Sequence, residues 1–278
     1  MMRILITGAR GQLGQSLRRA LPEDWELIAT DSKTLDITNA EAVESMIAGF
    51  QPDALVNAAA YTNVDAAEQN AEKAFAINAY GVHHLARSAR KHGARMIHFS
   101  SDYVFDGRKN TPYSEEDAPQ PLNVYGRSKL AGEVLALAAN SDTLIIRTAA
   151  LFSEFGQNFV KTIAAQARAG ESISVVDDQV CCPTYAPDVA HAVIAFIRDY
   201  PAVRGIAHHT GGEALSWYAL AQKVVAAVGA SPALVSVRHS TADETPRPAY
   251  SVLSSIHSSE HIVATSLERA LAASVAEA

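Results

Sequence analysis

Arg3-Ile4-Leu5-Ile6-Thr7-Gly8-Ala9-Arg10-Gly11-Gln12-Leu13-Gly14 decides the reading of this chain. Arg3 to Thr7 is a short apolar run, and Gly8, Gly11 and Gly14 follow at intervals of three. Leu13, Leu17 and Leu21 then recur at helical spacing until Pro22. The order is strand, glycine turn, helix. In such a unit, residues without Cβ atoms let a pyrophosphate approach the N–H groups and positive dipole end of the helix. Glycine strings also occur in ordinary turns, so it is the position between strand and helix that marks Gly8, Arg10, Gly11, Gln12, Leu13 and Gly14 as candidate cofactor-binding residues.

Outward from this unit the alternation continues. Trp25 to Thr30 reads as a second strand, and Thr38 with Glu41 forms a capping box for a helix carrying Val43, Met46, Ile47 and Phe50. Ala54 to Asn57 is a third strand, Ala71 to His92 a long helix, and Arg95 to Ser100 a strand. Ser128 to Ala139 is a helix and Thr143 to Thr148 a strand. The pattern predicts an α/β fold, a Rossmann-type doubly wound and mainly parallel sheet with helices on both faces. After residue 150 the rhythm loosens to a helix at Asn158 to Ala169 and an isolated strand at Ile173 to Val176. Pro183 and Pro187 then precede a helix at Val189 to Tyr200, and the Ala-rich Leu267 to Ala278 reads as a terminal helix. The expected division is a dinucleotide-binding domain over 1–150 and, over 151–278, a smaller C-terminal substrate-binding lobe with some segments returning to the sheet.

The composition excludes several classes. With 278 residues, 48% hydrophobic and 19% charged, the chain can bury a sizeable core. A net charge of -7 lacks the surplus Lys and Arg that nucleic acid requires. No apolar run approaches the roughly 20 residues needed to cross a membrane, and Met1 to Thr7 leads into the glycine turn rather than a signal-peptide cleavage site, so a cytoplasmic location is expected. Cys181 and Cys182 are adjacent, which suits neither a disulfide framework nor a C-x-x-C site, and they read as two thiols. His257 and His261 have the i, i+4 spacing of a helical chelate, but a third ligand is not evident and serines surround them; no metal is expected.

Two further clusters carry chemistry. Asp31 ends the second strand, where a carboxylate accepts from adenine ribose hydroxyls, whereas Arg10 suits a 2′-phosphate, leaving NADPH or NADH open as cofactor. Tyr125-Gly126-Arg127-Ser128-Lys129 places a phenol and an ammonium one helical turn apart. A hydride delivered to a ketone carbon leaves negative charge on oxygen, which a phenol can protonate if a nearby cation stabilises the phenolate. Nine tyrosines make the spacing weak in isolation. Support comes from Phe99-Ser100-Ser101-Asp102-Tyr103 at the carboxyl end of a predicted central strand. There the Ser101 hydroxyl either contacts a substrate carbonyl or caps the backbone.

The chain resembles the dTDP-4-dehydrorhamnose reductases, extended short-chain dehydrogenases, from the first strand to about Ser254. The resemblance rests on Asn57-Ala58-Ala59-Ala60-Tyr61-Thr62 with Val64-Asp65, on Ser101 to Gly107, on Tyr125 to Lys129, on Ser216-Trp217-Tyr218, and on Arg247-Pro248-Ala249-Tyr250-Ser251-Val252-Leu253-Ser254. It implies Gly11, Gln12 and Leu13 against the pyrophosphate, Asp31 near the ribose, and Asp36 and Ile37 around the adenine. It places Ala60, Tyr61 and Thr62 along the cofactor and makes Ser101, Tyr125 and Lys129 the catalytic triad, with Tyr125 and Lys129 also touching cofactor. Ser101, Asp102, Tyr125 and Ala150 are the implied substrate contacts, and the partner is a dTDP-linked 4-keto sugar; a homodimer is left open.

Three departures stand out. The family commonly has tryptophan after the Arg-Thr pair, but here Arg147-Thr148 is followed by Ala149-Ala150-Leu151-Phe152. An Asp-Gln-x-Gly-x-Pro-Thr pattern reads Asp178-Gln179-Val180-Cys181-Cys182-Pro183-Thr184, with cysteine for glycine. Gln15 and Ser16 stand where some relatives use an acidic residue in a metal-linked dimer contact. Two rivals follow: a 4-ketoreductase with another substrate or product epimer, and a non-catalytic NAD(P)-binding regulatory subunit, against which the intact Ser101, Tyr125 and Lys129 argue.

Overall fold

The structure, a computed structural model, describes residues 1–254 and 264–276; His257 and His261 lie outside the described residues. In chain order the first half contains β1 (Arg3–Thr7), α1 (Gln12–Ala20), β2 (Glu26–Ala29), α2 (Ala40–Phe50), β3 (Ala54–Asn57), α3 (Val64–Gln69) and α4 (Ala71–Phe75). One π turn over Ala76–Gly81 leads into α5 (Val82–Lys91), followed by β4 (Arg95–Ser101), α6 (Val124–Ala139) and β5 (Thr143–Thr148). The second half holds β6 (Leu151–Phe152), α7 (Phe159–Arg168), β7 (Ile173–Val176), β8 (Val180–Cys181), β9 (Thr184–Tyr185) and α8 (Ala186–Arg198). It continues with β10 (Gly205–His208), β11 (Leu215–Ser216), α9 (Trp217–Ala227), β12 (Val235–Arg238) and α10 (Leu267–Val275).

Six strands form one sheet in the order β10-β5-β4-β3-β1-β2, every pairing parallel. Each central strand is apolar on both faces because it feeds two cores. Ile4, Ile6, Val56, Ile97, Leu144 and Ile146 pack with α1 and α8 on one side. Leu5, Leu55, Met96 and Ile145 pack with α2, α5 and α6 on the other. At nine residues α1 is too short to hold itself in water; burial of Leu13 and Leu17, at about 1.5–3 kcal/mol each, keeps it in place. The winding reverses between β1 and β3, so the carboxyl ends of these strands, Thr7 and Asn57, border the crevice where ligands bind in such sheets.

A separate core joins α7, β7, α9, β12 and α10 around Phe152, Ile163, Val175, Leu220 and Leu271. Here the structure corrects several expectations. Ile173–Val176 is not isolated: it pairs in parallel with Val235–Arg238, a partner some sixty residues later and invisible to local pattern. The α2 cap is Asn39, whose Oδ1 accepts from Glu41 and Ala42 N–H, while Thr38 spends its hydroxyl on Asp36 Oδ1 at 2.7 Å. Helix α6 begins at Val124 rather than Ser128, because Asn123 Oδ1 accepts from Gly126 N–H at 2.8 Å. Helix α8 begins at Ala186 and contains Pro187, which costs nothing in a first turn where its missing N–H has no intrahelical partner. Residues 151–278 also return both α8 and β10 to the main sheet.

The long helix over residues 71–91 is interrupted by its π turn, which carries Asn78. Asn78 Oδ1 accepts from Tyr61 N–H (2.8 Å), and its amide nitrogen donates to Tyr61 O (3.0 Å) and Ser128 Oγ (2.9 Å). One side chain thus ties the loop after β3 to the helix bearing Tyr125 and Lys129, a common use of π turns near functional sites.

Candidate active site

The glycine loop owes its shape to close packing. Gly8 has φ 71°, and a Cβ there would sit 2.4 Å from Ala59 N; at Gly14 it would sit 2.3 Å from Gly8 O. Gly11 differs, since a Cβ would meet only Gly8 O at 3.4 Å. As the N-cap of α1 it offers no side chain to the first helical N–H groups, which are left to face the crevice. This exposed helix start beside β1 and β3 fits the pyrophosphate of a dinucleotide. Leu13 is a core residue by its side chain, so only its backbone can serve that role. Gln12 Oε1 is already engaged by Asn158 Nδ2 at 2.9 Å, linking the loop to α7.

Asp31 lies two residues beyond the end of β2, which closes at Ala29 rather than at Thr30. Its Oδ1 accepts from Lys33 and Thr34 N–H at 3.0 and 3.1 Å, and its Oδ2 faces Arg10 Nη1 at 3.5 Å. The Lys33 N–H above all, with Thr34 and Arg10, holds the carboxyl below its usual range. Ile37 is buried against Gly81, whereas Asp36 is exposed and bonded to Thr38. Ala60 and Thr62 are exposed beside the half-buried Tyr61.

At the end of β4 the implied catalytic groups converge. The Ser101 hydroxyl accepts from Tyr103 N–H (3.1 Å) and donates to Asp102 Oδ1 (2.8 Å). It therefore caps the backbone, beside the Tyr125 phenol. Gly126 lets the start of α6 lie on this turn: a Cβ there would be 2.2 Å from Tyr103 O. Tyr103 and Tyr125 rings meet edge-on with centroids 5.8 Å apart. Lys129 is buried and donates to Phe99 O at 2.6 Å.

The electrostatics follow from burial. Burial pushes the Tyr125 phenol up to about 12, the Ser101 hydrogen bond opposing it, so the phenol holds its proton at neutral pH. Burial brings the Lys129 ammonium down to about 8, against the attraction of Glu133. Asp102 is pushed up to about 6 by burial, with Ser251 and Ser101 pulling it back. Behind Lys129, Asn57 Oδ1 takes the Thr7 hydroxyl (2.6 Å) and Ala59 N–H (3.1 Å), so its amide donates to His98 Nδ1 (3.0 Å). Burial, then the Lys129 charge, hold His98 far below its ordinary value and neutral.

Glu133 and Arg147, which sequence reasoning did not single out, form a bidentate pair at 2.9 and 2.7 Å, both about 2% exposed. A second missed feature is a cleft of about 970 Å³ lined by Phe159, Val176, Trp217, Arg238 and Arg247 among others. Its two guanidinium groups are paired, Arg238 with Glu244 and Arg247 with Asp65. Gln179 and Trp217 are shared with a recess of about 20 Å³ that reaches Asp102, Tyr103, Ala150 and Cys181. Neither is lined by Ser101, Tyr125 or Lys129; the recess reaches their neighbours Asp102 and Tyr103.

Ala150 lies in the recess with φ 43°, in the left-handed region that costs an L-residue about 1–2 kcal/mol. Ala150→Gly is therefore expected to raise Tm by about 2 °C, the relief of strain outweighing added chain entropy. Thermal unfolding followed by circular dichroism checks this; a lower Tm would contradict it. Burial raises the Cys181 thiol far above its usual range, in keeping with a packing residue. Among the described residues there is no group of three His, Cys, Asp or Glu placed to hold a metal and no helix long and apolar enough to cross a membrane.

The family sequence model for the RmlD substrate binding domain matches residues 2–278. The dTDP-4-dehydrorhamnose reductase of Aggregatibacter actinomycetemcomitans is 40% identical over 286 aligned positions, covering 98% of this chain and 97% of the relative. A probable dTDP-4,6-dihydroxy-2-methyloxan-3-one 4-ketoreductase of Streptomyces antibioticus is 42% identical, covering 91% of this chain and 86% of that one. The crystal structure of dTDP-4-dehydrorhamnose reductase from Bacillus anthracis in complex with NADP superposes with a TM-score of 0.90 at 34% identity, covering 98% of this chain and 97% of the other. At this identity over nearly the whole of both chains, the protein belongs to the dTDP-4-dehydrorhamnose reductase family.

Proposed function

We propose that this chain uses NAD(P)H to reduce the 4-keto group of a dTDP-6-deoxyhexulose, with dTDP-4-dehydro-L-rhamnose to dTDP-L-rhamnose as the leading reaction. The observation that carries the reading is the meeting of Ser101, at the end of β4, with Tyr125 and the buried Lys129, one turn apart on α6. The bound nicotinamide supplies the hydride. Tyr125 donates its proton to the oxygen that gains charge, Ser101 orients the phenol, and Lys129 stabilises the phenolate that remains. Arg238 and Arg247 in the cleft suit the diphosphate of a sugar nucleotide, their carboxylate partners giving way to it. The sugar end then lies on the side of the cleft where Gln179 and Trp217 border the recess beside Asp102 and Tyr103. In this reading residues 1–150, with α8 and β10, hold the cofactor, and the remainder of 151–278 holds the sugar nucleotide.

The test is incubation of the purified protein with NADPH and a panel of dTDP- and UDP-linked 4-keto sugars, with product sugars identified by chromatography and NMR. Conversion of the rhamnose precursor to the rhamnose epimer supports the leading reaction; oxidation of NADPH with none of the panel overturns it. A second reading, another dTDP-ketosugar or the opposite 4-epimer, is favoured by Ala150 where an indole is common and by a relative named for a different sugar.

For cofactor choice, Asp31 faces the ribose edge and Arg10 lies 3.5 Å away, so dual use is expected. Asp31→Ala should shift the ratio of kcat/KM toward NADPH by roughly 10-fold, because the repulsion of a 2′-phosphate is lost while Arg10 stays. An unchanged ratio would place the ribose elsewhere.

A further inference from the structure

Ser251 reaches the catalytic turn from far along the chain. Its hydroxyl donates to Asp102 Oδ2 at 2.5 Å, while Asp102 Oδ1 takes the Ser101 proton at 2.8 Å. All three side chains are buried, Ser251 being 2% exposed, Asp102 3% and Ser101 7%. The backbone around Ser251 is pinned on both sides. Ser251 N–H donates to Val180 O (2.8 Å), Val180 N–H to Ala249 O (2.8 Å), and Tyr113 N–H to Val252 O (2.8 Å). The hydroxyl is thus delivered to Asp102 by a fixed strand-like segment rather than by a free loop.

A carboxylate can turn about its χ2 bond, and a hydroxyl carries one proton that rotates to the best acceptor. Both freedoms bear on Ser101. Asp102 has Tyr103, Tyr125, Cys181 and Cys182 as titratable neighbours. What holds its carboxylate is the pair of serine hydroxyls and the N–H groups of its own turn. With Oδ2 engaged by Ser251, Oδ1 is aimed at Ser101 and the Ser101 proton has one direction. Ser101 Oγ, which already accepts from Tyr103 N–H, is held beside the Tyr125 phenol.

We propose that Ser251 is a positioning residue for the reduction: by engaging Asp102 Oδ2 it sets the Ser101 hydroxyl, and through it the orientation of the Tyr125 phenol. This rests on the reductase reading of Ser101, Tyr125 and Lys129 given above. Ser251 also lines the recess beside Asp102 and Ala150 but lies away from the glycine loop, so its loss acts on turnover and the sugar end and spares cofactor binding.

The experiment measures kcat, KM for NADPH and KM for the dTDP-linked 4-keto sugar in the full-length protein. Ser251→Ala is expected to lower kcat about 10-fold, the scale of losing one buried hydrogen bond to a charged group, with KM for NADPH within about 2-fold of wild type. Ser251→Thr, which keeps the hydroxyl, should recover kcat to within about 3-fold. The decisive comparison is a double-mutant cycle: in a Ser101→Ala background, adding Ser251→Ala should lower kcat by less than about 2-fold, because the group it positions is gone. An equal 10-fold loss in both backgrounds, or a wild-type kcat in Ser251→Ala, overturns the proposal. If Ser251→Ala does not fold, as judged by thermal unfolding and NADPH binding, Ser251→Cys keeps the volume with a weaker donor and replaces it in the same cycle. Tyr125→Phe separates the two layers. Full turnover in that variant defeats the reductase reading itself, whereas an inactive Tyr125→Phe with additive Ser251 and Ser101 effects defeats only the positioning role.

Discussion

Tyr125→Phe is expected to bind NADPH nearly as tightly as the wild type and to turn over roughly 10² times more slowly or worse. The phenol keeps its proton at neutral pH, burial having pushed it up to about 12, so it can act as a donor to an oxygen that becomes strongly basic as hydride arrives. Removing the hydroxyl takes away that proton and leaves the ring, whose edge-on contact with Tyr103 is retained. The effect should fall on kcat. Stopped-flow single turnover with NADPH, paired with a fluorescence titration of the cofactor, checks both halves; a variant with near-normal single-turnover rate would remove Tyr125 from the chemistry.

The second large effect concerns stability. Glu133→Ala should destabilise the fold by about 3–5 kcal/mol, because it leaves the Arg147 guanidinium charged, 2% exposed and without its bidentate partner. The Phe105 ring 5.0 Å from that guanidinium offers a cation–π contact of about 1–2 kcal/mol, too little to compensate. For a chain of this size that corresponds to a Tm lower by roughly 10 °C. The double variant Glu133→Leu with Arg147→Met removes both charges and should recover most of the loss. Calorimetry of the wild type and the variants decides the matter. A single variant as stable as wild type would mean that the pair contributes nothing.

Legibility of the fold and site tracks how local each feature is. The glycine loop, Asp31 just beyond β2, and the Tyr125–Lys129 spacing lie within one or two turns of chain, so residue type and periodicity suffice to find them. Boundaries went astray where two capping residues competed, as Thr38 and Asn39 do, or where Asn123 capped a helix whose first turn carries Tyr125. The partner of Ile173–Val176 was missed because parallel pairing with Val235–Arg238 depends on the path of the chain between them. Glu133 and Arg147 stand fourteen residues apart on a helix and a strand, and no local pattern marks them as partners before tertiary packing buries both. Ser251 is of the same kind: quoted within a resembling segment, it shows its chemistry only once it stands beside Asp102. Asp36 and Ile37 were named from resemblance, and the structure shows one exposed and the other packed in the core.

The sixth strand of the sheet, Gly205–His208, is made long after its neighbour Thr143–Thr148, with 56 residues between them. During synthesis at roughly 5–20 residues per second, that neighbour stays an open strand edge for about 3 to 11 s. Over the same interval the apolar surface formed by Leu144 and Ile146 waits for Val189, Val193 and Ile197 to cover it. The nascent chain therefore passes through a sticky, half-shielded stage, and chaperone capture of ribosome-bound intermediates would concentrate between these two points in the sequence.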